Sequence, residues 1–216
     1  MMNKAVILGA TGEVGGHILE EILKHDFYQE VYVLGRQSIL ELPNDPRITK
    51  VLIDFNNLQV PQSLLFDADV FGAIDTDKKT GYEKVDLGYA YSFALLCRGQ
   101  IKSFNLVSAM GANSQSKYRY TRVKGQLEDL LTPLDLGVQR FYRPAMLLAP
   151  NRENLKKGDA IAIQFFQKTA FLLRGPLRNW NGIQPQMVAK AMVKNAMIND
   201  PQRINQYTEM MKTAKN

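Results

Sequence analysis

Cysteine is nearly absent from this chain. One thiol in 216 residues, Cys97, excludes an internal disulfide framework and any cysteine-rich zinc site. Histidine is almost as scarce. His17 and His25 are the only two, too few for a histidine-based metal centre, so no metal site is expected. A Ser-His-Asp hydrolase would have to recruit one of that pair. Long apolar runs are missing too, since nothing approaches the roughly 18–20 residues that cross a bilayer. Dense basic runs are also lacking. Lys plus Arg (27) exceed Asp plus Glu (21) by 6, but the cations are spread from Lys4 to Lys215 without interleaved aromatics, and no nucleic-acid groove is expected. With 15 Gly and 9 Pro the chain is near average, which removes collagen-like and low-complexity readings. The apolar stretch Ala5-Val6-Ile7-Leu8 falls short of the about 7–15 residues of a signal-peptide core. It reads as a buried strand, and the expected compartment is a reducing cytoplasm.

What is present is an alternation. Short apolar runs at Lys4–Leu8, Val31–Leu34, Val51–Ile53, Val70–Ile74, Ser103–Val107 and Val138–Tyr142 read as six strands. Between them, apolar residues recur at helical spacing over Glu13–Lys24 (Val14, Ile18, Ile22, Leu23), Tyr82–Arg98 (Val85, Tyr89, Phe93, Leu96) and Lys117–Leu131. Two further helices are expected at about Ala160–Leu172 and Gln186–Ile198, with a polar stretch from Asn151 to Asp159 before them. Strand–helix alternation implies an α/β fold: a doubly wound, mainly parallel sheet with helices on both faces. The expected organisation is one domain over 1–216, in which 149–216 contributes a small C-terminal helical substrate region. Cys97, among Ala94, Leu95 and Leu96, reads as core, and His17 as a solvated helix position.

In such sheets ligands bind beyond the carboxyl ends of the strands, so the loops there matter most. The first reads Gly9-Ala10-Thr11-Gly12-Glu13-Val14-Gly15, between a strand and a helix. Gly9 permits the tight turn, Gly12 lets backbone approach a pyrophosphate, and Gly15 lets the helix pack on the strand. The helix N-terminus then offers free N–H groups to phosphate. This is the fingerprint of a dinucleotide-binding (Rossmann) domain. Arg36 ends the second strand, 21 positions after Gly15. An acidic residue stands about there in NAD-binding forms, whereas a guanidinium suits a 2′-phosphate, so NADPH is expected over NADH.

Tyr120 and Lys124 lie four apart and share a helix face. Ser108 lies 12 residues upstream, just beyond the fifth strand. A Lys ammonium lowers the pKa of a neighbouring phenol, so Tyr120 would pass a proton to or from a substrate oxygen while Ser108 holds that oxygen and Lys124 reaches the cofactor ribose. Tyr118 is a rival, but its residue four positions on is Arg122. The competing reading is a surface Tyr and Lys on an amphipathic helix.

The glycine loop, Gly35-Arg36, Asp54-Phe55, Ser108 to Ala112, Tyr120 to Gly125 and Arg143 to Leu148 occur in an order that resembles the atypical short-chain dehydrogenase/reductases. Within them the chain is similar to the TIP30/CC3-like NAD(P)H-binding family of HIV Tat-interacting proteins. The resemblance spans about residues 3–175. It implies that Thr11, Gly12, Glu13 and Val14 meet the phosphates and that Arg36 meets the 2′-phosphate. It places Ile74 and Asp75 by the adenosine side and diphosphate. Tyr120, Lys124 and Leu147 would flank the nicotinamide half, with Asp54, Phe55 and Arg143 carried by the shared motifs and Lys156 as the basic residue beyond. The chain departs from the family at Ile74-Asp75-Thr76-Asp77, where Leu-Gly-Thr-Thr is common, and at Ser108-Ala109, where the family has two serines. Two functions follow. One is an NADPH-dependent oxidoreductase acting on a small carbonyl or alcohol substrate. The other is an NADPH-binding regulatory or protein-interaction module without turnover.

Overall fold

The computed structural model describes residues 2–76, 81–148 and 175–216. The expected helix at 160–172, the polar stretch 151–159, Asp77 and Lys156 lie outside the described residues.

Seven parallel strands form one sheet in the order β3-β2-β1-β4-β5-β6-β9. They are β1 Lys4–Leu8, β2 Glu30–Gly35, β3 Ile48–Leu52, β4 Ala68–Gly72, β5 Ser103–Val107, β6 Val138–Tyr142 and β9 Ile204–Asn205. A separate parallel pair joins β7 (Met146–Leu147) to β8 (Gly182–Ile183). The helices are α1 Glu13–Leu23, α2 Gln62–Leu65, α3 Ala90–Cys97, α4 Arg119–Leu131, α5 Pro185–Met197 and α6 Tyr207–Lys215. A π-helix over Tyr82–Tyr89 runs directly into α3.

The central strands read as unbroken apolar runs because helices cover both faces of the sheet. β4 is buried at every position, and Ala5 to Leu8 of β1 are buried as well. On one face Ile18 and Ile22 of α1 share a core with Val188 and Met192 of α5 and with Met210 of α6. On the other, Phe93 and Cys97 of α3 pack with Leu127 and Leu131 of α4. The fully buried Cys97 thiol is core, as the sequence implies, and desolvation raises its pKa, so it is not a reactive group.

Three differences from the sequence reading have physical causes. The expected uninterrupted helix from Tyr82 to Arg98 is a π-helix followed by an α-helix. The apolar stripe also hides Asp86, which lies seven residues before Phe93 on the same face and is buried with it. The edge strand β9 has only two residues, too few for any periodicity to show. Helix α6 carries a readable signal that the sequence reading passed over. Gln206 and Glu209 form a reciprocal capping box at its start.

Strand order reverses between β1 and β4, the neighbours from which the chain runs outward in both directions. Such a reversal opens a crevice at the carboxyl ends of the strands. Here the crevice is held by glycine. Gly9 leaves β1 at φ +94°, and a Cβ there would sit 2.5 Å from the Ala73 carbonyl oxygen. A Cβ on Gly15 would sit 2.0 Å from the Gly9 carbonyl oxygen and 3.0 Å from Ala10 Cα. Both obstacles are backbone, so they cannot be relieved by a rotamer change. Gly15→Ala is expected to cost about 2–3 kcal/mol, lowering Tm by roughly 5–10 °C at about 2–4 °C per kcal/mol. A thermal melt checks this, and an unchanged Tm would mean that α1 is free to slide off the turn.

Candidate functional site

A cavity of about 260 Å³ lies at the reversal point. Gly9, Thr11 and Gly12 from the loop after β1 line one side. Arg36 and Ser38 follow β2, Phe55 follows β3, and Ile74 and Asp75 follow β4. Val85 and Tyr89 of the π-helix close it. Helix α1 starts at the floor of this cavity. Gly12 occupies its N-cap position with extended backbone, and no side chain caps the helix. The N–H groups of Glu13, Val14 and Gly15 in the first turn are thus left for an outside acceptor, at the positive end of the helix dipole. A Cβ on Gly12 would meet only backbone oxygens, at 3.3 and 3.7 Å, so the rest of its surroundings are open to the cavity. This cradle fits a diphosphate.

The cavity wall is aromatic on one side and cationic on another. The rings of Phe55 and Tyr89 stack at 4.6 Å with 19° between planes, and Lys84 Nζ lies 5.8 Å above Tyr89. Arg36 is exposed at the cavity edge, where β2 ends. Asp54 does not line the cavity. It accepts from the Asn56 backbone N–H at 2.9 Å and shapes the turn that presents Phe55.

The second half of the site lies beyond Asp75. This carboxyl lines the cavity and also reaches α4: Tyr120 Oη donates to Asp75 Oδ2 at 3.4 Å, and Lys124 Nζ is 3.5 Å from Asp75 Oδ1. Lys124 is only 2% exposed. Its ammonium also sits 2.8 Å from Asp86 Oδ1 of the π-helix and 5.5 Å from the centre of the Tyr120 ring. The Tyr82 and Tyr120 rings lie 5.4 Å apart, across the join between the π-helix and α4. Tyr118, 80% exposed, points elsewhere.

These neighbours reverse one expectation. Lys124 alone would draw the Tyr120 phenol below its ordinary value. In the structure burial is the largest influence and raises it, Lys124 pulls it down, and Asp75 and Asp86 push it back up, for a net rise. Burial also works against the Lys124 ammonium, but Tyr120, Asp75 and Asp86 more than offset it and the ammonium is held strongly protonated. Asp86 is pushed up to about 7, first by burial and then by Asp75, against the pull of Lys124. Burial raises the Asp75 carboxyl, but contact with Asp86 and the charge of Lys124 bring it below its usual value.

Ser108 is 2% exposed, and its hydroxyl donates to Glu128 Oε1 at 2.5 Å. Glu128 in turn accepts Arg143 Nε at 3.0 Å and a second guanidinium nitrogen of Arg143 on its other oxygen. Ser108 and Arg143 are therefore joined through a buried carboxylate that the sequence reading did not single out. Glu128 lies four residues after Lys124, on the same face of α4, and that spacing was the available signal. Leu147 lies in β7. None of Ser108, Tyr120, Lys124, Arg143 or Leu147 lines the cavity. His17 is partly buried and its Nδ1 pairs with Glu20 at 2.7 Å. Among the described residues no group of His, Cys, Asp and Glu is arranged to hold a metal ion, and no helix is long and apolar enough to cross a membrane.

No family model matches the chain. Rat protein HTATIP2 is 32% identical over 174 residues, which are 77% of this chain and 72% of that protein. FMP52 of Candida albicans is 31% identical over 166 residues, 72% of each. It is named a mitochondrial protein, as are FMP52 proteins of other species. This overturns the cytoplasmic expectation: the relatives point to mitochondria rather than the cytoplasm. Among solved structures, the Bordetella bronchiseptica enzyme WbmH in complex with NAD+ superposes with a TM-score of 0.67 at 14% identity, over 96% of this chain and 76% of that one. That likeness concerns the fold, which is the Rossmann type that the strand order and glycine turn describe. With the relatives' identity and coverage, the chain belongs to the HTATIP2 (TIP30/CC3-like) family.

Proposed function

We propose that the protein is an NADPH-dependent oxidoreductase acting on a small carbonyl or alcohol substrate. The observation that carries the reading is the cavity at the β1/β4 reversal, floored by the uncapped N-terminus of α1 and edged by Arg36. The first-turn N–H groups of α1 would hold the diphosphate. Arg36 would pair with the 2′-phosphate by charge-assisted hydrogen bonds. The stacked Phe55–Tyr89 wall supports a flat base on the adenosine side. NADPH, when bound, supplies the hydride equivalent. The chain's own part is proton handling at Tyr120 Oη, with Lys124 holding a positive charge beneath the ring. Ser108 is placed by Glu128, and Arg143 fixes Glu128 in turn.

One observation favours the second reading, binding without turnover. The Ser108 hydroxyl is already donated to Glu128, and Tyr120 is held neutral more firmly than an isolated tyrosine. Measuring the Tyr120 variant separates the two.

Two outcomes are expected. NADPH binds more tightly than NADH, and Arg36→Ala removes roughly 1.5–3 kcal/mol, about 10- to 100-fold in NADPH affinity, with little change for NADH. Titrating both dinucleotides by fluorescence checks this, and equal affinities in the wild type would remove the NADPH assignment. In a screen of carbonyl compounds followed by NADPH absorbance, Tyr120→Phe lowers turnover by roughly 10²- to 10⁴-fold while Tyr118→Phe leaves it intact. Full activity in Tyr120→Phe would end the proton-transfer role, and binding with no turnover across the screen would establish the second reading.

A further inference from the structure

Asp86 has no place in the reading above, and its surroundings are unusual. It is 1% exposed, on a π-helix, a rare form that is frequent at functional sites. Among the described residues neither of its carboxylate oxygens has a well-formed hydrogen bond. A carboxylate buried this deeply is costly unless it is paired. Its partner is Lys124 Nζ, 2.8 Å from Oδ1. The same ammonium lies 3.5 Å from Asp75 Oδ1. One buried cation thus stands between two carboxyls, and the Tyr120 ring covers it at 5.5 Å.

Among the described residues the groups facing Asp86 are few. Lys124 and Tyr120 approach from α4 and Asp75 from the loop after β4. On its own helix, Glu83 is turned outward and engaged by Arg119 at 2.7 Å, while Lys84 lies over Tyr89. Asp75 belongs to the lining of the cofactor cavity. With Asp86 protonated, Lys124 and Asp75 form a neutral pair. With Asp86 ionised, the cluster carries one net negative charge next to a cavity suited to a polyanion.

We propose that Asp86 is the positioning residue of this site: it pins the Lys124 ammonium between itself and Asp75, and its protonation state sets the charge that a bound dinucleotide meets. The proposal rests on the NAD(P)H-binding reading. Burial and Asp75 raise the Asp86 carboxyl to about 7, so the change of charge falls within the neutral range.

The test uses the full chain and NADH, which lacks the 2′-phosphate whose own ionisation near pH 6 would overlay the profile. NADH affinity is measured by fluorescence between about pH 5 and 8 for wild type, Asp86→Asn and Asp86→Glu. Wild-type affinity is expected to fall on the order of threefold to tenfold as pH rises through about 7, the sign required when a carboxylate ionises beside an anion site. Asp86→Asn is expected to flatten the profile at the acid-side affinity, and Asp86→Glu to restore an inflection. A flat wild-type profile, or an unchanged inflection in Asp86→Asn, would overturn the proposal. A second readout needs no cofactor: carboxyl ¹³C NMR of aspartate-labelled protein. One signal, absent from Asp86→Asn, is expected to titrate near neutrality and to move upward in Lys124→Met. If no such signal exists the proposal fails, whatever the binding data. If the signal behaves as stated but NADH and NADPH do not bind, the cofactor reading fails and the Asp86–Lys124 coupling stands.

Discussion

Helix α1 begins in contact with the turn that ends β1, which the absence of a side chain at Gly15 allows, and the same turn lies against Ala73 because Gly9 has none. That close approach determines much else. It points the N-terminus of α1 across the carboxyl end of the sheet, at the place where strand order reverses. It leaves the first turn without a capping side chain, next to a cavity that the N-cap residue Gly12 lines. The Ala73 N–H extends the β1–β4 pairing by donating to Leu8 O at 2.8 Å, which brings Ile74 and Asp75 to the same rim. The proposed site for a dinucleotide diphosphate is therefore a consequence of how tightly one helix is packed on one turn.

The second half of the site obeys a different constraint, the cost of burying charge. Lys124 is buried by its position on α4, and a lone ammonium there would lose its proton or unfold the helix packing. Two carboxyls hold it, one from the cavity rim and one from the π-helix. Those carboxyls also cancel much of what Lys124 would otherwise do for Tyr120, whose phenol ends above its ordinary value. Glu128 is a parallel case on the same helix, where a buried carboxyl group accepts hydrogen bonds from Arg143 and from the Ser108 hydroxyl. The residues proposed to handle protons are thus set in two networks built on carboxyl groups, and Ser108, Tyr120 and Lys124 do not line the cavity.

The glycine turn and the alternation of strands and helices were legible because each is a local pattern with a direct geometric meaning. Period and punctuation located the core strands, with β5 and β6 placed to the residue. The spacing of Tyr120 and Lys124 also gave their shared face. The pairing partners were not legible. Asp86 and Glu128 look like ordinary solvated acids on amphipathic helices, and their burial depends on how the π-helix and α4 dock. In the sequence Asp75 is only a departure from the family motif, whereas in three dimensions it pairs with Lys124. Electrostatic sign at a site is a property of contacts between distant segments, which spacing along one chain does not carry.

The most direct measurement is amide hydrogen exchange of the whole chain with and without saturating NADPH. Slowed exchange is expected at the first-turn amides of α1, residues 13–15, because no side chain caps them and they gain an acceptor, and in the loop from Gly9 to Gly12 as the ligand covers it. Exchange in the core strands β1 and β4 below them should change far less. Unaltered exchange at residues 9–15 under saturating NADPH, or protection confined to some other surface, would contradict the assignment of the cavity.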